Sequence, residues 1–553
     1  MMYLRIIDKA VMTTWALHEK RIRIIVAAPL AACALATIGF RSTHDALWSD
    51  ELLTTSLLQA SSLPKLWAGI ALGIDGNPPL YLTLAWFILQ LLPKAVPSVL
   101  LLKLVNLGLA ACAVAVLFRL ARRLASPAAC WIGALMFITL GEAFIYVASE
   151  LRTYALYLLI AALAALCQQR LIEDCRLPNV AWLALANVSL AMCHTFAIAY
   201  VGIIAAAGWL SRPRDKEFLR AIIVAVVPSI IAVIAWSPSL LDQLEVAKPY
   251  SWILPPSLSV LSDTLFGSGA MLLISILEAT CLLTFYVSAR KAHAFEFRKI
   301  IQDPQWQAAR FIVLLSLGIT SFTLVAWLFS RLVFPLFVTR FFTPQLLTTF
   351  AVHVAFGAWL MGNLGRRRTM VVVLCAMVAP LMLRNMVVHA GASVHGQPIC
   401  ADAQGRYFES SFVHGDLPVI VDSAIMFLPR AAYAVHGEAY RFPLDWNVVL
   451  KYPNQSRGNA VDYHIMHGLQ KWKPMPQVQS TDEILRDNPQ FLVVDITLRS
   501  WFRNLRATHD VLAEKIAEVR LSGTDDVTCT LWKVSRVRPI VPTSVQNMTE
   551  PKN

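Results

Sequence analysis

The sequence predicts an α-helical polytopic membrane protein of about eleven transmembrane helices, followed by a soluble α/β domain. Three observations carry that prediction. Hydrophobic residues fill 57% of the 553 positions, mean hydropathy is +0.58, and only 15% of residues are charged; a soluble chain of this length carries far more charge. Apolar runs at or near membrane-spanning length recur from Ile24 to Val388. Beyond Val388 the sequence turns polar and mixed.

The net charge of +13 reads as topology, because Lys and Arg gather in cytoplasmic loops. The basic residues are scattered between apolar runs rather than collected on one domain, which argues against a nucleic-acid partner. None of the ten cysteines shows C-x-x-C spacing, so no metal or redox motif is expected from them.

Taken in order, residues 1–23 are amphipathic and basic, ending in Lys20-Arg21-Ile22-Arg23. The run Ile24–Phe40 is longer than a signal-peptide core and lacks a clear small-residue cleavage site. It predicts a retained first span with its basic side in the cytoplasm. Residues 41–97 form an external loop in which Leu52–Leu58 and Leu63–Leu72 predict short interfacial helices. Leu80–Leu92 falls short of the roughly 20 residues a bilayer core needs and predicts a re-entrant or interfacial piece. If it does not cross, later basic clusters (Arg119/Arg122/Arg123, Arg170, Arg212/Arg214/Lys216, Arg290/Lys291/Arg298/Lys299 and Arg366/Arg367/Arg368) all fall on the cytoplasmic side.

The further predicted spans are 98–118, 127–147, 151–167, 180–195, 197–210, 219–236, 269–288, 311–329, 344–362 and 369–388. Outward connections are then 41–97, the turn at 148–151, the edge at His194, and the loops 237–268 and 330–343. The membrane domain covers 1–388. Residues 389–540 predict a soluble external α/β domain, with strands at Val419–Asp422, Phe491–Asp495 and Val527–Val534 and a helix at Ala507–Ala517; 541–553 predict a disordered tail. Cys400 and Cys529 lie in this domain and would pair if it faces an oxidising compartment.

Unusual residues collect on the outward side. They are Asp45, Asp50 and Glu51; Asp75, Asn77 and Tyr81; Glu150, Arg152 and Tyr154; His194; Lys248 with Tyr250 and Trp252; and Arg331 and Arg340. Lys103, early in its span, lies near the same face. Each has a plain reading. Ser49 or Asp50 would cap a helix, Glu150 and Arg152 would pair, His194 would sit satisfied in a core, and the basic residues would meet lipid headgroups. Together on one face of a membrane, ionisable groups point to a functional site.

Their order resembles the GT-C glycosyltransferases, polytopic enzymes that use polyprenyl-phosphate sugars and include protein O-mannosyltransferases and lipid A aminoarabinose transferases. The matching residues are Trp48-Ser49-Asp50-Glu51, Asn77-Pro78-Pro79-Leu80-Tyr81, Ser149-Glu150-Leu151-Arg152-Thr153-Tyr154, His194-Thr195-Phe196 and Thr339-Arg340-Phe341-Phe342-Thr343-Pro344. The match covers about residues 20–385. Asn77 stands where many relatives carry a basic residue, and Lys103 where many carry Arg, whose bidentate fork Lys lacks.

The resemblance implies transfer of one sugar, with inversion, from a polyprenyl-phosphate donor to a lipid, glycan or protein acceptor at the external face of an inner membrane. It makes Asp50 the general base, with Glu51 assisting, organising the loop or helping hold a divalent metal ion (Mg or Mn) at Asp50; no other cofactor is implied. Arg340, Lys248 and Lys103 would hold the phosphate. Glu150, Arg152, Tyr154 and His194 would shape the cavity and fix the sugar, with Asn77 and Tyr81 as further candidate substrate-binding residues. The rival expectation is a transporter or flippase, which tends to show inverted repeats and midplane charges; neither is visible here.

Overall fold

The computed structural model describes residues 28–44, 46–91, 97–213, 215–250, 253–266, 307–363, 399–402, 404–451, 459–496, 501–520 and 528–537, with isolated positions between 380 and 387. Residues 1–27, Asp45, the expected span at 269–288, most of that at 369–388, the basic clusters at 290–299 and 366–368, and the expected tail lie outside the described residues. The chain forms two compact units, one of residues 1–244 and 253–396, the other of 245–252 and 397–553.

The first unit is helical. After α1 (Ala28–His44) come two short helices, α2 (Ser49–Leu58) and α3 (Leu63–Ala71), then α4 (Leu80–Leu91). Next are α5 (Ser98–Ala121), α6 (Pro127–Leu140), α7 (Glu142–Ser149), α8 (Tyr154–Glu173), α9 (Leu177–Ala191) and α10 (Ala197–Ser211). The unit continues with α11 (Lys216–Tyr250), α12 (Leu258–Phe266), α13 (Gln307–Leu332), a 3-10 turn at Thr339–Phe342 and α14 (Gln345–Asn363). Among the described residues four helices are long and apolar enough to cross a membrane, and α6 with α7 forms a fifth, broken span. The chain is a multi-pass membrane protein. On α5, α11 and α13 large apolar residues such as Leu104, Ile234 and Val325 are exposed, as lipid-facing surfaces require. Most of α8 is buried.

Two local features place the site. The span α6–α7 bends by 72° at Gly141, where an added Cβ would lie 2.5 Å from the Phe137 carbonyl oxygen. That bend sends α7, and the turn at 150–153 after it, away from the axis of α6. The other feature corrects an expectation: α11 runs to Tyr250, so 237–250 is helix rather than loop. Pro238 does not end it; in long apolar helices neighbouring groups re-satisfy the backbone that a proline frees.

The second unit holds a six-stranded sheet in the order β3-β2-β1-β4-β6-β5. Its strands are β1 (Val419–Val421), β2 (Tyr440–Pro443), β3 (Val478–Gln479), β4 (Gln490–Ile496), β5 (Val511–Arg520) and β6 (Thr528–Arg536). The first four are parallel, while β6 lies antiparallel to both β4 and β5. Ile420, Phe491, Val493, Trp501, Phe502 and Val534 form a core on one face. The helix expected over Ala507–Ala517 is corrected. A helix at Trp501–Thr508 ends there and β5 begins at Val511. Its good helix formers yield to pairing with β6 from Val511–Arg536 to Arg520–Thr528, since context overrides local propensity in strands. Cys400 and Cys529 are disulfide-bonded, their Cα atoms 5.9 Å apart.

Candidate functional site

The site is assembled from α2, the segment after α3, α5, α7 with its following turn, and the 3-10 turn before α14. Trp48 rather than Ser49 or Asp50 occupies the cap position of α2. Its N–H donates to Glu51 Oε2 at 3.1 Å, a reach back from the third helical residue that satisfies an otherwise orphaned donor. Glu51 Oε1 accepts the Leu151 N–H at 2.6 Å, and the residue is fully buried. Glu51 therefore pins α2 to the turn at 150–153, the organising role among those weighed for it.

Asp50, one residue earlier, points elsewhere, as adjacent positions on a helix diverge by about 100°. Its carboxylate meets Arg340 Nη2 at 3.2 Å. Arg340 lies over the Trp48 ring, 4.9 Å from its centre, and donates from Nη1 to the Tyr146 hydroxyl at 3.4 Å. Tyr146 in turn donates to Glu150 Oε1 at 2.5 Å. The other carboxylate oxygen of Glu150 is buried with no partner among the described residues, and burial pushes this carboxyl up to about 7.

A second cation, Arg152, is buried deeper. It donates to Asp75 at 2.7 Å, to Thr54 Oγ1 at 3.0 Å and to the Asp50 carbonyl at 3.3 Å. Asn77 holds Asp75 in place through its N–H and its side-chain amide, at 3.0 and 2.9 Å. Asn106 on α5 ties the frame together: it donates to the Glu150 carbonyl at 2.6 Å and accepts from the Tyr81 hydroxyl at 3.2 Å. Lys103, three residues earlier on α5, is also buried.

His194 stands in an aromatic stack. Its ring lies 4.9 Å from Tyr157 and nearly parallel to it, with Tyr154, Phe196 and Phe341 around it. Its Nδ1 accepts the Phe196 N–H at 3.2 Å. His194 is buried within this stack.

A cavity of about 440 Å³ adjoins Arg340 and Tyr146, lined also by Glu142, Asp263, Thr264 and Gln345. The structure thus brings together Asp50, Glu51, Asn77, Tyr81, Glu150, Arg152, Tyr154 and Arg340, with His194 behind them. Arg331 instead donates to the Pro256 carbonyl at 3.0 Å. Lys248 lies in α11, its side chain outside the description. Residues that sequence reasoning missed are Tyr146, Thr54 and Asn106. Two carried a signal: Asn106 is a polar residue inside an apolar span, and Tyr146 stands one helical turn before Glu150.

A divalent ion at Asp50 would need further donors. Among the described residues no three His, Cys, Asp or Glu side chains converge, and the oxygens of Glu51 and Asp75 already accept from main-chain groups, Asn77 or Arg152. Among the described residues this donor set does not fit a metal ion.

No family model matches the chain, and no curated protein matches it. Solved structures do. The chain is similar to ArnT from Cupriavidus metallidurans bound to undecaprenyl phosphate, with a TM-score of 0.51 and 11% identity over 91% of this chain and 97% of that one. The apo state of the same protein aligns with a TM-score of 0.49 and 11% identity over 95% and 98%. The first of these likenesses assigns the fold, and it is the fold that the motif resemblance implies.

Proposed function

We propose that this protein is a membrane glycosyltransferase that moves a sugar from a polyprenyl-phosphate-linked donor to an acceptor hydroxyl at the external face. The observation that carries the reading is the Asp50–Arg340 pair, 3.2 Å apart, with Arg340 on the wall of a cavity of about 440 Å³. The pair holds a base and an anion-binding cation side by side. Support also comes from the ArnT structure of like fold, whose ligand is undecaprenyl phosphate.

In this reading the donor phosphate takes Arg340 from Asp50. Asp50 then accepts the proton of the acceptor hydroxyl as its oxygen attacks the anomeric carbon. The carbon–oxygen bond to phosphate breaks on the opposite side, and Arg340 stabilises the charge growing on the leaving phosphate. Single displacement inverts the anomeric centre. Tyr154, His194 and Tyr81 pack behind the Asp50–Arg340 pair as candidate sugar contacts, while Glu51, Asp75, Asn77 and Arg152 hold Asp50 in position; Lys103 and Lys248 are the further candidate phosphate contacts.

An inner-membrane location, a cytoplasmic N-terminus and an external C-terminal unit complete the proposal. They are supported by the basic clusters and by the Cys400–Cys529 disulfide, which persists in oxidising compartments. The test is transfer from defined polyprenyl-phosphate sugars, with wild type against Asp50→Asn. The variant should lose about 10²–10⁴-fold in rate; transfer at the wild-type rate would refute Asp50 as base. A cysteine placed in the C-terminal unit should react with an impermeant reagent from outside.

A further inference from the structure

The arrangement behind Arg340 is asymmetric. Hydrogen bonds run one way along it: Arg340 donates to Tyr146, and Tyr146 donates to Glu150. The chain of donors ends on a carboxyl with no exposure, whose second oxygen has no partner among the described residues. A carboxylate buried in that way is costly unless it is paired, whereas a protonated carboxyl is not. Nearby charges oppose one another: Arg340 and Arg152 favour the ionised form, Glu51 disfavours it, and Tyr146 is a neutral donor. From α5, Asn106 meets the Glu150 carbonyl rather than its carboxyl.

Arg340 has the same unfinished character. Its Nε is buried with no partner among the described residues, and its two terminal nitrogens are shared between Asp50 on one side and the Tyr146–Glu150 arm on the other. An anion that occupies Arg340 adds negative charge one hydroxyl away from Glu150. Two like charges at that separation raise the cost of ionising Glu150. By linkage, the protonated form then binds the anion better, and binding takes up a proton.

We propose that Glu150 is a positioning acid that holds a proton while an anionic phosphate diester occupies Arg340, and that draws Arg340 back through Tyr146 when it ionises. Binding of the donor is therefore coupled to proton uptake at Glu150. This rests on the reading of Arg340 as a phosphate contact.

The probe is an undecaprenyl-phosphate hexose, a diester whose single charge is constant across the range used, with full-length protein in nanodiscs. Wild type should bind it up to about tenfold more weakly at pH 8 than at pH 6. Glu150→Gln, which keeps the acceptor for Tyr146, should bind equally at both. Tyr146→Phe should shrink the pH dependence while leaving Glu150 in place, and it serves if Glu150→Gln fails to fold. Infrared difference spectra provide a readout independent of any ligand: a protonated-carboxyl band that titrates near neutrality in wild type and is absent from Glu150→Gln. A pH dependence that survives Glu150→Gln, or no such band, overturns the proposal. Absence of binding at both pH values overturns the coupling; if the carboxyl band still titrates, the fault lies in the donor reading and not in Glu150.

Discussion

Two arginine–carboxylate pairs stand within one site, and they differ. Arg152 and Asp75 meet at 2.7 Å with side-chain exposures of 9% and 5%, and Arg152 also donates to Thr54 and to the Asp50 carbonyl. Arg340 and Asp50 meet at 3.2 Å with exposures of 17% and 24%, beside a cavity. Burial makes the first pair a structural member, because a lone charge left there has no water to turn to. The second is looser and single-contact, so an arriving anion can replace the carboxylate at small cost. The same chemistry serves as frame in one place and, in the proposed function, as working part in the other.

The largest test of that contrast is Arg152→Met. It leaves Asp75 buried and unpaired and should cost about 3–5 kcal/mol of stability, read as a lowered thermal unfolding midpoint in detergent; adding Asp75→Asn should recover much of the loss. An unchanged midpoint would mean that the buried pair is not the frame. Next comes Arg340→Lys, which keeps the charge but loses the fork that spans Asp50 and Tyr146. Donor KM should rise about 10- to 100-fold, the equivalent of one charge-assisted hydrogen bond, with the unfolding midpoint nearly unmoved. The smallest effect is expected for Trp48→Leu, which removes the ring under the guanidinium. A loss of about 0.5–1 kcal/mol in donor binding, roughly threefold in KM, is the scale of a partly exposed cation–π contact.

Much of this site was legible before any coordinates. Ionisable residues in an apolar chain are few, so Asp50, Asp75, Glu150, Arg152 and Arg340 stood out by contrast with their surroundings. What they do to one another was not legible. Asp50 and Glu51 are neighbours in sequence with opposite fates: one faces the cavity-wall arginine, while the other is consumed by two main-chain N–H groups. Tyr146 was passed over because an aromatic residue in an apolar helix reads as core until its hydroxyl is seen between Arg340 and Glu150. In the second unit β1, β4 and β6 were readable as short apolar runs. The strand β5 was not, because its residues are good helix formers and only the partner strand overrules them.

The sequence by itself determined the class of molecule, since long apolar runs must leave water. It also determined which residues were candidates for chemistry. Only the tertiary structure decided the pairing, because hydrogen bonds and ion pairs act over about 3 Å between groups as distant in the chain as Asp50 and Arg340. The bend at Gly141 brings Tyr146 and Glu150 to that meeting point, and no local pattern in the sequence states where a bent helix will end.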